Sequence, residues 1–135
     1  GNKVWITESN NQKRKLKYTL QIIEVNNAMV GINTHLTNKI VLEALENNYI
    51  KEFSFKKLIK METKFNENTR FDFLIESNKK KIFIEVKNVT LSRKKNIAEF
   101  PDAITSRGSK HIKELVNATA KGYKSYILFV VQRND

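Results

Sequence analysis

Alternating apolar and polar residues near the start of the chain predict two β-strands, at Lys3–Thr7 and Lys15–Val25. Successive side chains of a strand point to opposite faces, so every second residue is apolar when one face is buried. The second strand shows this alternation at Leu16, Tyr18, Leu20 and Ile22. Because two strands alone are marginally stable in water, we expect further strands to pair with them.

Two segments carry apolar residues at helical spacing. The first is Asn38–Asn47, and the second runs from Asp102, directly after Pro101, to about Lys121. Asp102 is suited to cap the second helix, and Gly122 provides a left-handed stop at its end. The face predicted for this helix consists of Ile104, Gly108, His111, Ile112, Leu115 and Thr119.

Four more strands are predicted, at Leu58–Thr63, Thr69–Glu76, Lys81–Val89 and Ser125–Gln132. The second and third should form an antiparallel hairpin, because only the turn Ser77–Lys80 separates them. The last is an almost unbroken apolar run, which is typical of a central strand buried on both faces. The order of helix, three strands, helix and strand predicts a mixed α/β (α+β) fold with an αβββαβ core around one central sheet.

Charge is the strongest property of the composition. Lys and Arg total 25 and Asp and Glu total 14, so the net charge is 25 − 14 = +11. This excess attracts polyanions such as DNA, although a proteome rich in Lys and Asn would also produce it. Cysteine is absent and there are two histidines, so carboxylates should hold any metal, which favours Mg²⁺ or Mn²⁺. No apolar run is long enough for a membrane span, and no secretory pattern opens the chain.

Asp72, Glu85 and Lys87 are the residues most suited to catalysis. Glu85 and Lys87 project from the same face of their strand, and Asp72 lies on the hairpin partner. Asp72 and Glu85 could bind Mg²⁺ with the carbonyl oxygen of Val86, and Lys87 could orient or deprotonate water or stabilise charge on the phosphate. The alternative is a solvated strand face with a stray carboxylate.

Other residues are auxiliary candidates. Glu43 on the first helix could add a catalytic carboxylate or be an ordinary surface residue. Gln132 could polarise the site or simply end its strand, and His111 could assist or be a satisfied core histidine. Asp102 could act near the metal in addition to capping its helix. Contacts to nucleic acid are expected from Arg14, Lys15, Arg70, Arg93, Lys94, Lys95, Arg107 and Lys110.

Several segments together resemble the sugar fermentation stimulation protein A family. Asn68–Leu74 (NTRFDFL) is similar to the family's S-R-x-D-F, and Glu85–Leu91 (EVKNVTL) to its E-V-K-x-V-T-L. Phe100–Leu115 is similar to its F-P-D-A-x-T-x-R-G-x-K-H segment, and Leu128–Arg133 to the next strand. Ser106 stands where the family usually has Glu, which weakens a catalytic role for that part of the helix.

The resemblance implies a restriction-endonuclease-like domain of the PD-(D/E)xK superfamily at residues 28–135, preceded by the last strands of a truncated OB-like β-barrel at residues 1–27. The C-terminal end of the restriction-endonuclease-like domain is also expected to be truncated. The resemblance further implies a cytoplasmic bacterial or archaeal protein with DNA as its partner. From the sequence we expect no membrane association, and a homodimer stays open. We therefore expect Mg²⁺-dependent DNA hydrolysis. The alternatives are a non-cleaving DNA-binding regulator of sugar (maltose) metabolism genes and a protein-interaction module.

Overall fold

The computed structural model describes residues 1–78, 80–101 and 103–135. The chain forms two compact units. The first contains Gly1–Thr37, Asn88–Asp102 and Val130–Asp135, and the second contains Asn38–Lys87 and Ala103–Phe129. In the described part of the chain, no helix is long and apolar enough to cross a membrane.

The first unit contains a three-stranded antiparallel sheet in the order β1 (Val4–Glu8), β2 (Tyr18–Val25) and β3 (Ala28–Gly31). The sequence alternation predicts the first two strands, and β3 is the partner that it misses. Asn26 and Asn27 connect β2 to β3 with φ angles of 51° and 64°. Such a two-residue left-handed turn matches the twist of a hairpin, and asparagine tolerates it better than most residues.

A second hairpin of the first unit replaces the basic loop predicted around Lys94. Its strands are β7 (Leu91–Lys94) and β8 (Ile97–Glu99), which pair antiparallel. Asn96 in the turn has a φ of 62°. The strands are short and mostly polar, so no hydrophobic alternation indicates them in the sequence.

The αβββαβ order is present. It consists of α1 (Thr37–Glu46), β4 (Leu58–Asn66), β5 (Thr69–Ser77), β6 (Lys80–Val89), α2 (Ser106–Ala120) and β9 (Lys124–Val131). The strands form a central mixed sheet in the order β4-β5-β6-β9. The predicted hairpin is confirmed, because β5 and β6 pair antiparallel from Ser77–Lys80 to Phe73–Ile84.

Helix α2 begins later than predicted. Its first residue is Ser106, and its N-cap is Thr105, whose hydroxyl oxygen accepts a 3.0 Å hydrogen bond from the Gly108 N–H. The predicted start at Pro101–Asp102 is therefore wrong, and Asp102 itself lies outside the described residues. A threonine in extended conformation provides the cap that the sequence analysis assigned to the aspartate.

The core of the second unit lies between α2 and the sheet. Leu115 and Ala118 of α2 pack with three buried residues of β5 and β6, namely Phe71, Leu74 and Phe83. The ring centroids of Phe71 and Phe83 are 5.1 Å apart. The predicted helix face is only partly correct, because Ile104 precedes α2 and is 91% exposed, and Ile112 is 49% exposed.

Strand β9 is not buried on both faces. It lies at the edge of the sheet, with β6 as its neighbour among the described strands, and its exposure alternates along its length. Phe129 is 50% exposed and Tyr126 39% exposed. An apolar run shows that a strand can be buried on both faces, but burial also requires elements that cover it. The prediction of a central strand is therefore wrong for this chain.

We expect Leu115→Ala to lower the free energy of unfolding by about 2–5 kcal/mol, because it leaves a cavity under α2. Ile104→Ala should change it by less than about 0.5 kcal/mol, because that side chain is exposed. Urea unfolding monitored by circular dichroism measures both variants. Equal losses for the two would contradict the assignment of this core.

Candidate active site

Asp72 occupies the point where the pairing of β5 with β6 ends. Beyond Phe73–Ile84, the Val86 N–H donates to Oδ2 of Asp72 at 2.7 Å. The other carboxylate oxygen, Oδ1, accepts from the Asn38 side-chain amide at 2.9 Å. Asp72 therefore satisfies a backbone donor of the next strand and is tied to helix α1, which fixes the position of its carboxylate.

Glu85 is a buried carboxylate with only 4% of its surface exposed. Its Oε1 accepts from the Lys87 Nζ at 2.6 Å and lies 2.5 Å from Nδ1 of His111. Its Oε2 is buried and has no hydrogen-bond partner among the described residues. A buried carboxylate oxygen without a partner costs free energy, so a water molecule or a ligand would stabilise this atom.

Lys87 and His111 both contact Glu85. The side chain of Lys87 is 17% exposed and that of His111 is 13% exposed. Glu85 and Lys87 project from the same face of β6, as the alternation predicts. The His111 ring approaches Glu85 from α2, which agrees with a mostly buried histidine whose hydrogen bond is satisfied and also places it beside the candidate site.

Asp72, Glu85 and His111 line an open cavity of about 640 Å³ within the second unit, and Lys87 is not among its lining residues. Its carboxylates are Glu62, Asp72 and Glu85, and its cationic side chains are Arg70, Arg107 and Lys110. Asn68, Ser106 and His111 complete the lining. The Lys110 Nζ donates to the Asn68 carbonyl at 2.9 Å, which draws α2 and the β4–β5 turn together. Within the described residues, no three His, Asp or Glu side chains already have a metal-binding arrangement.

Two predicted auxiliary residues are not among those that line this cavity. Glu43 is exposed on α1. The Gln132 amide, in the first unit, donates to Oγ1 of Thr37 at 3.0 Å and to Oδ1 of Asn88 at 2.5 Å. Both hydrogens of this amide are therefore used inside the first unit, and Gln132 has a bracing role there.

The remaining predicted basic residues belong to the first unit. Arg14 donates to the Thr19 hydroxyl at 2.5 Å, and Arg93 pairs with Glu99 at 2.8 Å. The Glu99 hydrogen bond raises the pKa of Arg93, and Arg93 in turn lowers the pKa of Glu99. Exposed residues without such a carboxylate partner are Lys15, Lys94 and Lys95. Arg93 is thus less available to a phosphate than the sequence suggests.

Sequence reasoning missed two residues of the site. Asn38 was predicted only as the first residue of a helix, although its side chain donates a hydrogen bond to Asp72. Glu62 was only an internal residue of a predicted strand, although it lines the cavity. The sequence contains no signal for Glu62, because a regular hairpin from the β4–β5 turn would place Thr63 and not Glu62 opposite Asp72.

Comparison with known proteins identifies the class. Residues 35–135 match the family model described as the sugar fermentation stimulation protein RE domain, and residues 1–32 match the SfsA N-terminal OB domain. The chain belongs to the sugar fermentation stimulation protein (SfsA) family.

Individual relatives agree with this assignment. The chain is 58% identical over 132 residues to a sugar fermentation stimulation protein homolog of Pelagibacter ubique, covering 98% of this chain and 57% of the relative. It is 42% identical to the homolog of Brucella anthropi, covering 100% of this chain and 59% of that protein. The chain thus spans somewhat more than half the length of these relatives.

A solved structure also matches. It is that of Pyrococcus furiosus SfsA in complex with Ca²⁺, with a TM-score of 0.85 and 30% identity. The match covers 98% of this chain and 55% of the archaeal one.

The hydrogen bond between Asn38 and Asp72 should be measurable as a coupling free energy. In a double-mutant cycle, Asn38→Ala and Asp72→Ala should be non-additive by about 0.5–1.5 kcal/mol, because either change alone breaks the bond. Asn38→Ala combined with Glu52→Ala should be additive, since Glu52 is exposed elsewhere on the second unit. If the effects of Asn38→Ala and Asp72→Ala on the free energy of unfolding in urea are additive, the hydrogen bond between Asn38 and Asp72 does not contribute to stability.

Proposed function

We propose that this chain carries a divalent-cation-dependent nuclease site that hydrolyses phosphodiester bonds of DNA. One observation carries the proposal. The buried Oε2 of Glu85 lacks a partner among the described residues, and Glu85 lines a cavity together with Asp72 and with cationic side chains of β5 and α2. Such a combination suits a phosphate substrate together with a metal ion, because the carboxylates can bind the metal ion and the cationic side chains can bind the phosphate.

The donor set fits a hard divalent cation. Mg²⁺ and Mn²⁺ prefer oxygen ligands, and Asp72 and Glu85 offer carboxylate oxygens, with the Val86 carbonyl as a further one. The orphaned oxygen of Glu85 is the atom that such an ion would satisfy. The Ca²⁺ bound by the archaeal SfsA supports this assignment. When bound, the cation would lower the pKa of a water molecule and offset charge on the phosphate.

Lys87 is the residue that we assign to the attacking water. Its ammonium is mostly buried and is held at Glu85, which limits its motion. It can orient the water, accept its proton after deprotonation, or stabilise negative charge on the phosphate. Each of these roles requires the position that Glu85 gives it.

The three cationic side chains that line the cavity bind the substrate. Arg107 lies in the first turn of α2, and Arg70 and Lys110 line the same cavity. The guanidinium of Arg107 can form paired hydrogen bonds to a phosphate, and the positive end of the helix dipole favours an anion at this place. The DNA backbone would therefore be held by α2 and β5, with its scissile phosphate over the carboxylates.

Cleavage should require both metal and the proposed residues. The intact-length protein, incubated with labelled single-stranded and duplex DNA, should cleave with Mg²⁺ or Mn²⁺ and not with EDTA. Asp72→Asn and Lys87→Ala should each lower the rate by about 100-fold or more, because each removes a group that acts on the reacting atoms. Glu52→Gln is the matched control and should cleave normally. Cleavage that persists in Asp72→Asn would overturn the assignment.

A non-cleaving DNA-binding regulator of sugar metabolism genes is the second candidate. The contact of Glu85 with Lys87 and His111 favours it, because these side chains can accommodate the carboxylate without a cation. Such a protein would bind DNA in the same assay and leave it intact with every metal tested.

DNA affinity should fall steeply with salt, because phosphate contacts release counterions. We expect Arg107→Ala to reduce the slope of log affinity against log salt by about 0.9 on duplex DNA, which corresponds to one phosphate contact. The exposed Lys51→Ala should leave the slope unchanged. Fluorescence anisotropy at several salt concentrations measures both. A flat salt dependence would instead support a protein-interaction module whose charge reflects composition alone.

A further inference from the structure

The backbone of Glu62 is unusual for a residue inside a strand. Its φ is 48°, in the left-handed region, although its neighbours belong to β4. L-residues other than glycine, asparagine and aspartate adopt this conformation at a cost and are found there mostly at functional sites.

The register places Glu62 opposite a second carboxylate. Met61 pairs with Phe73 and Thr63 pairs with Phe71, so the residue across from Glu62 is Asp72. Like charges directly opposite each other destabilise an antiparallel pair. Among the described residues, Glu62 has no ion pair that would offset this repulsion. At Glu62, β4 is therefore destabilised both by the left-handed backbone conformation and by the repulsion from Asp72.

A third carboxylate in the same cavity gives independent evidence for a ligand. Glu85 is more than nine-tenths buried, and its Oε2 has no partner among the described residues. A cation would satisfy this oxygen and would also reduce the repulsion between Glu62 and Asp72. Among the described residues, these three carboxylates do not already have a metal-binding arrangement, so binding requires the exposed side chain of Glu62 to turn toward the ion.

We propose that Glu62 is the third carboxylate ligand of the divalent-cation site, in the role that the sequence suggests for Glu43. Glu43 is exposed on α1 and is not among the residues lining the cavity. The inference rests on the proposed function, since it assigns a further ligand to the same ion. It implies that the protein binds Mn²⁺ in the absence of DNA, because three carboxylates attract the ion without help from a phosphate.

The test is Mn²⁺ binding by the DNA-free, intact-length protein, measured by isothermal titration calorimetry and by the loss of the free Mn²⁺ electron paramagnetic resonance signal. Glu62→Gln should weaken binding by about tenfold or more, since loss of a supporting residue alone commonly costs 10- to 100-fold. Glu43→Gln and the exposed control Glu52→Gln should stay within about twofold of the parent chain.

Glu62→Gly separates ligation from folding. Glycine adopts a positive φ without a steric cost, so this variant should melt at or above the temperature of the parent chain while binding Mn²⁺ as weakly as Glu62→Gln. Weaker binding with unchanged or higher stability is expected of a ligand and not of a structural residue.

The outcomes distinguish this inference from the proposal on which it rests. If Asp72→Asn abolishes Mn²⁺ binding and Glu62→Gln changes it by less than twofold, the role of Glu62 is refuted and the cation site stands. If Glu43→Gln weakens Mn²⁺ binding and Glu62→Gln does not, the third carboxylate ligand is Glu43 on α1. If the parent chain binds no Mn²⁺ at millimolar concentration, both the site and the role of Glu62 are wrong.

Discussion

The hydrogen bonds of Asp72 are the interaction on which the candidate site depends. Where β5 and β6 cease to pair through their backbones, the Val86 N–H would lose its acceptor, and Oδ2 of Asp72 replaces it. Buried backbone donors are rarely left unpaired, so the carboxylate is part of the sheet as well as of the cavity. Asn38 fixes its second oxygen from α1. Glu85 projects from the same face of β6 as the core residue Phe83, so the buried carboxylate lies beside the core under α2.

The polar groups around Glu85 show how a buried carboxylate is maintained. Lys87 and His111 both contact Oε1 of Glu85. Among the described residues, Oε2 has no hydrogen-bond partner that replaces the water it loses on burial. A carboxylate satisfied on one oxygen and deprived on the other is stable enough to fold and still favours an additional ligand.

Much of the fold and part of the site follow from local patterns in the sequence. The β5–β6 hairpin, the αβββαβ order and the shared face of Glu85 and Lys87 depend on alternation and short turns, which the sequence displays directly. Strand β3 was missed because it has only four residues, Ala28–Gly31, with no clear alternation of apolar and polar side chains. The start of α2 was misplaced because Asp102 and Thr105 are both good caps, and local preference does not choose between them. Burial of β9 depends on which elements cover it, and no pattern within the strand contains that information.

Glu62 could not be assigned from the hairpin alone because β4 contains an irregularity. Asn66 pairs with Thr69, but the next pair is Lys64 with Arg70, so one residue of β4 is left over at Phe65. A regular hairpin from the same turn would place Thr63 opposite Asp72. A shift of one residue thus exchanges a carboxylate for a hydroxyl group at the cavity. An insertion or deletion of one residue near this turn would therefore change the charge of the site with no substitution at Glu62 or Asp72, so the length of β4 matters to the site as much as its amino acids do.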